Sequence, residues 1–546
     1  MKQISVFKTV MNLALVSAAG LLVACGSDSS TPASASISGT IVAAPVNGAD
    51  VSVVDGSGNV VVEPVKTDAN GQYSLVIPNG SLGQDLIIKS TGGTFLDEAT
   101  GGLPGTAGAM HAYTSASSLS NGSMVSATPG STIIAELVMN HGKTRAEAEA
   151  AFSDAFGYTP DMSVTPADAT TAPAADEDDA ETLAGFRAGA FSQLAMDLGL
   201  SQNDQFDLFA ALAQDLSDDK LDGVDASGGV AIGTTGKLLE ADIQNRFSMA
   251  LVNFNNSAYN MTGLDNNEFG DIPFAKVALT TSYQIEYKQL SMMGPVNGKG
   301  TFQVLVTNRS DGMPATGLTN MLMPTMHMLG THMHSTPMSV PAITDDGNGL
   351  YTVTLYYLMP TAMGGYWDLK FMVDGEEAHF YPTVMMAMEG ADTPQVRLKG
   401  VDDKVMNMML GKMVGRFYYL FKDSLTTPDM GTSYDFSVFI ATQEDMMNFP
   451  AVVDGEILND GEMNELTIDI GTTAVSVSAN GGAWESAITN GTDGVWAVTG
   501  LSLNDGVVNQ IRIKLTVNNE VKTTDGAAVV AGVNDYQTFI VTPGGM

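Results

Sequence analysis

Apolar and polar positions change period several times along the chain. Residues 11–23 are almost continuously apolar, interrupted only by Asn12 and Ser17. From residue 37 the pattern becomes short β-branched runs at 37–42, 51–54 and 60–62. They are separated by Pro45, Asn47 and Gly48 and by the turn Asp55-Gly56-Ser57-Gly58-Asn59, which predicts strands. Between 129 and 270 the period lengthens to that of a helix. Ser131 or Thr132 is placed to cap a helix ending at Met139; 145–156, 180–198, 205–216 and 237–254 are further helical stretches, with a Pro/Asp/Ala-rich loop over 159–179. In 180–198, Leu183, Phe186, Ala190, Leu194 and Met196 fall close to one face. Strand patterns return at 271–395 and 396–546. Candidates in the last segment are 417–421, 436–441, 466–470, 475–478, 510–517 and 537–541, with Trp484 and Trp496 expected in its core. The predicted fold is multidomain and mainly β: a β-sandwich (37–128), a small α-helical bundle of four or five helices (129–270), then two further immunoglobulin-like β-sandwiches (271–395 and 396–546).

Length agrees with several domains, because 546 residues exceed the size at which a single core stops growing. Charge is scarce and one-sided: 61 acidic against 24 basic residues, net −37. Nucleic-acid binding through phosphates and a polybasic grip on anionic lipid both need clustered Lys and Arg, so neither class is expected.

The N-terminus changes the picture of where the chain resides. Lys2 and Lys8 precede the apolar run, which is too short for an ordinary membrane span and reads as a secretory signal over 1–24. It ends in Leu22-Val23-Ala24-Cys25-Gly26, which resembles a bacterial lipobox. That resemblance implies lipidation at Cys25, the sole cysteine of the chain, and leaves no thiol for a disulfide, zinc or catalysis. Cleavage removes two lysines and no acids, taking the net charge from −37 to −39. Gly26 after the cysteine implies, by resemblance to Gram-negative sorting, the outer membrane, with residues 25–36 as a flexible tether. Acyl chains contribute about 0.8 kcal/mol per buried CH₂, so two or three hold the protein to the bilayer.

The string Thr67-Asp68-Ala69-Asn70-Gly71-Gln72-Tyr73-Ser74-Leu75 puts an Asn-Gly turn ahead of an alternating strand. Residues 37–87 around it resemble a carboxypeptidase regulatory-like (transthyretin-like) β-sandwich. The resemblance implies a fold, and a role as spacer or interaction module rather than a reaction.

Familiar enzyme signatures fail. Gly142-Lys143-Thr144 lacks the glycine a phosphate loop requires, since Leu137 stands there. No HExxH, G-x-S-x-G or CxxC occurs. Asp218, Asp222 and Gly223 fall at EF-hand positions one, five and six. Lys220 and Gly229 stand where ligands belong, so the stretch reads first as a solvated helix-terminating loop and second as an irregular calcium site.

The most informative chemistry is soft. Nineteen of the 33 methionines lie between Met292 and Met413, and four of the six histidines lie in the same 271–395 segment. Thioether sulfur and imidazole suit copper, whereas hard cations want carboxylates. Alternation along strands puts His332 and His334 on one face, and Met326 and Met328 together across the turn at 329–331. A three- or four-ligand site follows, with His332, His334, Met328 and Met338 as the leading set and Met326 and His327 as further candidates. The competing reading is packing: methionine fills cores, and Tyr351, Tyr356, Tyr357 and Trp367 are natural partners for its sulfur. His379 in its Phe/Tyr strand reads as structural; His111 and His141 have no partner nearby in sequence.

Met323-Pro324, Met326, His327, then Gly349-Leu350-Tyr351, then Met363-Gly364-Gly365-Tyr366-Trp367 follow the order of a YtkA-like or FixH-like domain, which residues 301–373 resemble, with one extra residue before the Trp. That resemblance implies a small envelope β-sandwich in a setting of copper handling or oxidase assembly. The expected function is therefore a non-enzymatic outer-membrane lipoprotein, anchored by its N-terminal lipid and binding copper. The alternative is a surface scaffold or adhesion protein that binds envelope proteins or glycans without metal. A weaker third is a hydrolase using two convergent carboxylates.

Overall fold

The computed structural model describes residues 34–102, 104–114, 119–174, 177–264, 275–291, 294–328, 332–361, 365–387, 392–408, 410–428, 433–462 and 464–544. The signal sequence, Cys25 and most of the tether lie outside them. Among the described residues no helix is long and apolar enough to cross a membrane. The protein is mainly β, a multidomain assembly of antiparallel sheets with five α-helices among the described residues.

The first unit stacks the pair Ala35–Thr40 and Gln72–Ile77 on a four-stranded sheet ordered Val60–Lys66, Asp50–Asp55, Leu86–Thr91, Met110–Thr114. Its Asn-Gly turn forms as expected: Asp68 Oδ1 accepts the Asn70 and Gln72 amides at 2.9 Å each. Gly71 takes φ 73°, where a side chain would be strained.

The helices are α1 (Pro129–Asn140), α2 (Arg145–Phe156), α3 (Asp179–Asp197), α4 (Gln205–Asp215) and α5 (Ile243–Asn255). Thr128, not Ser131 or Thr132, caps α1. Pro129 occupies the first helical position, where its missing N–H costs nothing, and Ser131 closes the capping box from inside. The GKT triplet is structural: Gly142 is left-handed, Lys143 pairs with Asp219 at 2.6 Å, and Thr144 caps α2 with Glu147. α5 starts later than residue 237, after a loop bridged at Ala231 and Leu238. In α3, Phe186, Ala190 and Leu194 are buried, but Met196, two residues beyond Leu194, turns outward.

The β and helical segments, separate in the sequence reading, share one hydrophobic core running from Ile37 to Phe254. Glu98 is buried inside this joint. It accepts Ser192 Oγ at 2.5 Å and the Ala44 amide, tying α3 to the sandwich. Burial raises its pKa to about 7. The acidic loop after α4 closes on itself, with Asp215 Oδ2 accepting the Gly223 amide at 3.0 Å.

The third unit is a two-sheet sandwich. Its five-stranded sheet runs Val277–Leu279, Tyr283–Gln289, Gly298–Asn308, Leu350–Tyr357, Met338–Gly347. The facing four-stranded sheet runs Met333–His334, Asn320–Met328, Gly365–Val373, Glu376–Phe380. The C-terminal sandwich faces Gln395–Asn407, Lys412–Thr426, Tyr434–Thr442 and Val495–Leu501 against a sheet centred on Asn509–Val517. Trp496 is in its core. Trp484 is not: it is 41% exposed, with Lys514 Nζ 4.5 Å from its ring centre.

A buried charge network closes this last unit. Asp403 meets Arg416 Nε at 3.0 Å, Tyr418 Oη at 2.6 Å and Lys522 Nζ at 3.4 Å, and both basic side chains are about fully buried.

Two predictions follow from these buried groups. Glu98 has a folded pKa above its unfolded value, so the folded state retains the proton and stability falls as pH rises from 4.5 to about 7. Glu98→Gln should remove that slope, raising the melting temperature relative to the parent at pH 8 and leaving it nearly unchanged at pH 4.5; an identical pH profile for both would contradict the assignment. Asp403→Ala leaves buried Arg416 without its carboxylate and Lys522 with Glu520 alone, and should cost about 3–5 kcal/mol in denaturant unfolding of the C-terminal sandwich. A loss below about 1 kcal/mol would show that the network does not hold this unit.

Candidate metal centre

The Met/His hairpin has a register that the sequence spacing only suggests. Met326 lies directly opposite His334, and His327 directly opposite Met333. Alternation sends the first pair toward the sandwich interior and the second to the outer face. Each face of one hairpin therefore carries one imidazole beside one thioether.

On the inner side, Met326 is fully buried, in register with Trp367 on the neighbouring strand. His334 is 5% exposed and stands edge-on to Trp367, ring centres 5.5 Å apart. Its two nitrogens have different partners. Nδ1 is 2.6 Å from the Ser335 carbonyl oxygen, and Nε2 is 3.2 Å from Met359 Sδ. A carbonyl only accepts, so the network assigns the proton to Nδ1. Burial lowers the His334 pKa, the Ser335 contact opposing it, which favours the neutral ring. Nε2 then presents its lone pair to a sulfur that also carries only lone pairs.

Two electron-pair donors facing each other are relieved by a cation between them. A neutral imidazole nitrogen and a thioether sulfur would together hold a soft d¹⁰ ion. The Nδ1–H···O=C bond is the outer contact that normally orients a ligating histidine. Met359 is held in turn, its carbonyl accepting Trp367 Nε1 at 3.1 Å.

This pair borders a cavity of about 360 Å³ between the third and C-terminal sandwiches. Met446, Tyr419 and Phe449 line it from the C-terminal side. The Ser335 amide donates to the Met446 carbonyl at 2.8 Å, so the loop carrying His334 is docked on the neighbouring unit.

Of the residues expected as ligands, the structure places four on the inner side: Met326, Met328, Met338 and His334. The contact to His334 Nε2 comes from Met359 instead of Met328 or Met338. Met338 starts a strand of the opposite sheet, pairing with Leu355, and packs with Met328 against the core. His327 points to the outer face, one position out of phase with Met326. His332 is exposed beyond the strand end, contributing its carbonyl to the Met328 amide at 2.9 Å. The turn at 329–331 and the Met363-Gly364 motif lie outside the described residues. Sequence spacing could not find Met359, which reaches His334 from 25 residues away; its one signal is the Met359-Pro360 pair, matching Met323-Pro324.

The other histidines have structural partners. His379 Nδ1 meets Asp368 Oδ1 at 2.9 Å. Burial opposes its charged form, but the Asp368 hydrogen bond together with the Asp368 and Glu377 charges outweighs burial, and its pKa is raised. His111 is buried with Nδ1 3.0 Å from Glu136 Oε1, and His141 terminates α1. Among the described residues no three His, Cys, Asp or Glu side chains converge as a metal site. The convergence at His334 is of imidazole with thioether.

No protein-family model matches the chain, and no curated protein does. Among solved structures it is similar to an endo-fucoidan hydrolase of glycoside hydrolase family 107, at 10% identity and a TM-score of 0.13. The match covers 62% of this chain and 52% of that one, about half its length. A TM-score that low carries no argument about fold or activity.

Proposed function

We propose that this protein is a non-enzymatic, lipid-anchored envelope protein that binds Cu(I) between its two C-terminal sandwiches. His334 Nε2 and Met359 Sδ are the first two ligands, and Met446 stands on the cavity wall opposite. The carrying observation is the 3.2 Å contact of His334 Nε2 with Met359 Sδ, beside the 2.6 Å contact of Nδ1 with the Ser335 carbonyl that assigns the imidazole proton to Nδ1. Soft thioether with neutral imidazole selects Cu(I) over hard cations. The YtkA-like resemblance of residues 301–373 points the same way. The lipobox resemblance at Cys25 supports the lipid anchor, and Gly26 after it supports the outer membrane as the location.

His334 fixes direction and electron supply. Its ring is held at one edge by a backbone acceptor and against Trp367 at the other, so ion capture requires little reorganisation. Leu358, Phe449 and Tyr419 form an apolar wall beside the site.

The test is competition of the full mature chain against a chromophoric Cu(I) chelator. The parent should bind tightly. His334→Ala with Met359→Leu should weaken the tightest site at least tenfold and abolish the Cu(I)-dependent quenching of Trp367 fluorescence. Unchanged affinity in that variant would sink the assignment and favour the scaffold reading. For the anchor, Cys25→Ser should move the protein from the membrane pellet to the soluble fraction. Retention in the pellet, or an unacylated N-terminus by mass spectrometry, would contradict it.

A further inference from the structure

We infer that the outer face of the same hairpin carries a second, exchangeable soft-metal site formed by His327 and Met333. It rests on the soft-metal reading of the hairpin but on different residues. His327 and Met333 are direct cross-strand partners, so their side chains leave the sheet on one face with Cβ atoms about 5 Å apart. The His327 ring is pre-positioned: it stacks on Tyr366, its neighbour on the other flank, with centres 4.7 Å apart and planes 10° from parallel. Tyr366 is itself buried, so the platform is rigid.

Packing does not account for the thioethers here. Met333 is 47% exposed, and Met321 and Met323 on the same face are 54% and 44% exposed. Methionine that fills no core gap loses the usual reason for its presence. The carboxylates on this face are engaged, Asp368 by His379 and Glu377 by Lys370 and His379. With those carboxylates paired, the donors left on the face are the half-buried His327 imidazole and the exposed Met333 thioether. The site therefore suits a soft monovalent ion, with the remaining coordination positions open to solvent or a delivering ligand. Its openness makes it the faster-exchanging of the two.

The probe is Ag(I), a redox-silent stand-in for Cu(I), titrated into the full mature chain by calorimetry and native mass spectrometry. Two equivalents should bind, the weaker exchanging faster. His327→Phe with Met333→Leu retains an aromatic ring on Tyr366 and an apolar group on the surface, so folding should persist. It should lose the weaker equivalent and leave the tighter one within twofold. Met333→Leu alone should weaken the outer site at least threefold. One equivalent in the parent, or two retained in the double variant, overturns the proposal. Loss of the tighter equivalent in the His334→Ala/Met359→Leu variant, with the weaker one kept, separates this site from the inner one. If that variant keeps both while the outer variant loses one, the inner assignment fails and this one stands.

Discussion

The Nδ1–H bond from His334 to the Ser335 carbonyl governs the proposed chemistry. It decides which imidazole nitrogen has a free electron pair, and geometry aims that nitrogen at Met359. Without it, His334 and Met359 would be an ordinary N–H···S contact in an apolar wall. With it, the contact is a pair of donors lacking their acceptor. The hydrogen bond in turn depends on inter-unit docking, because the Ser335 amide N–H donates to the Met446 carbonyl on the C-terminal sandwich.

That docking is well supported. Tyr356 stacks on Phe439 at 4.1 Å, and its hydroxyl donates to Asp423 at 2.8 Å. Lys299 reaches the same carboxylate at 2.6 Å, and Gln395 Nε2 donates to the Leu358 carbonyl at 2.7 Å. An apolar stack ringed by polar contacts gives the cavity walls a fixed separation, which a two-donor site needs more than a large one does. The N-terminal half reaches the third unit by a different route. Arg309 pairs with Glu240 at 3.2 Å, and Tyr366 and Tyr381 join the core that begins at Ile37. The outer histidine platform is thus continuous with the helical unit, and the inner one with the C-terminal sandwich.

Much of this architecture was legible from local pattern. The runs at 145–156 and 537–541 coincide with an observed helix and strand, because a capping box and a period-two run are local signals. The mainly β, multi-sandwich class was legible for the same reason. The merging of the first β unit with the helices was not, since it rests on contacts such as Glu98 with Ser192, 94 residues apart. Trp484 shows the limit in another way: hydrophobicity suggested a core position, whereas Lys514 and Tyr536 hold it at the surface. At the candidate site, residue types were readable but phase was not. A one-residue alternation separates His327 from Met326, and only the opposite sheet's connection brings Met359 to His334.

The position of the His334 proton is read directly by histidine-selective ¹⁵N NMR of the metal-free chain, with His334→Ala supplying the assignment. His334 should be neutral at pH 7, with Nδ1 protonated and Nε2 bare, and added Ag(I) should shift Nε2. A ring protonated at Nε2, or an Nε2 resonance unmoved by the ion, would contradict the proposed site.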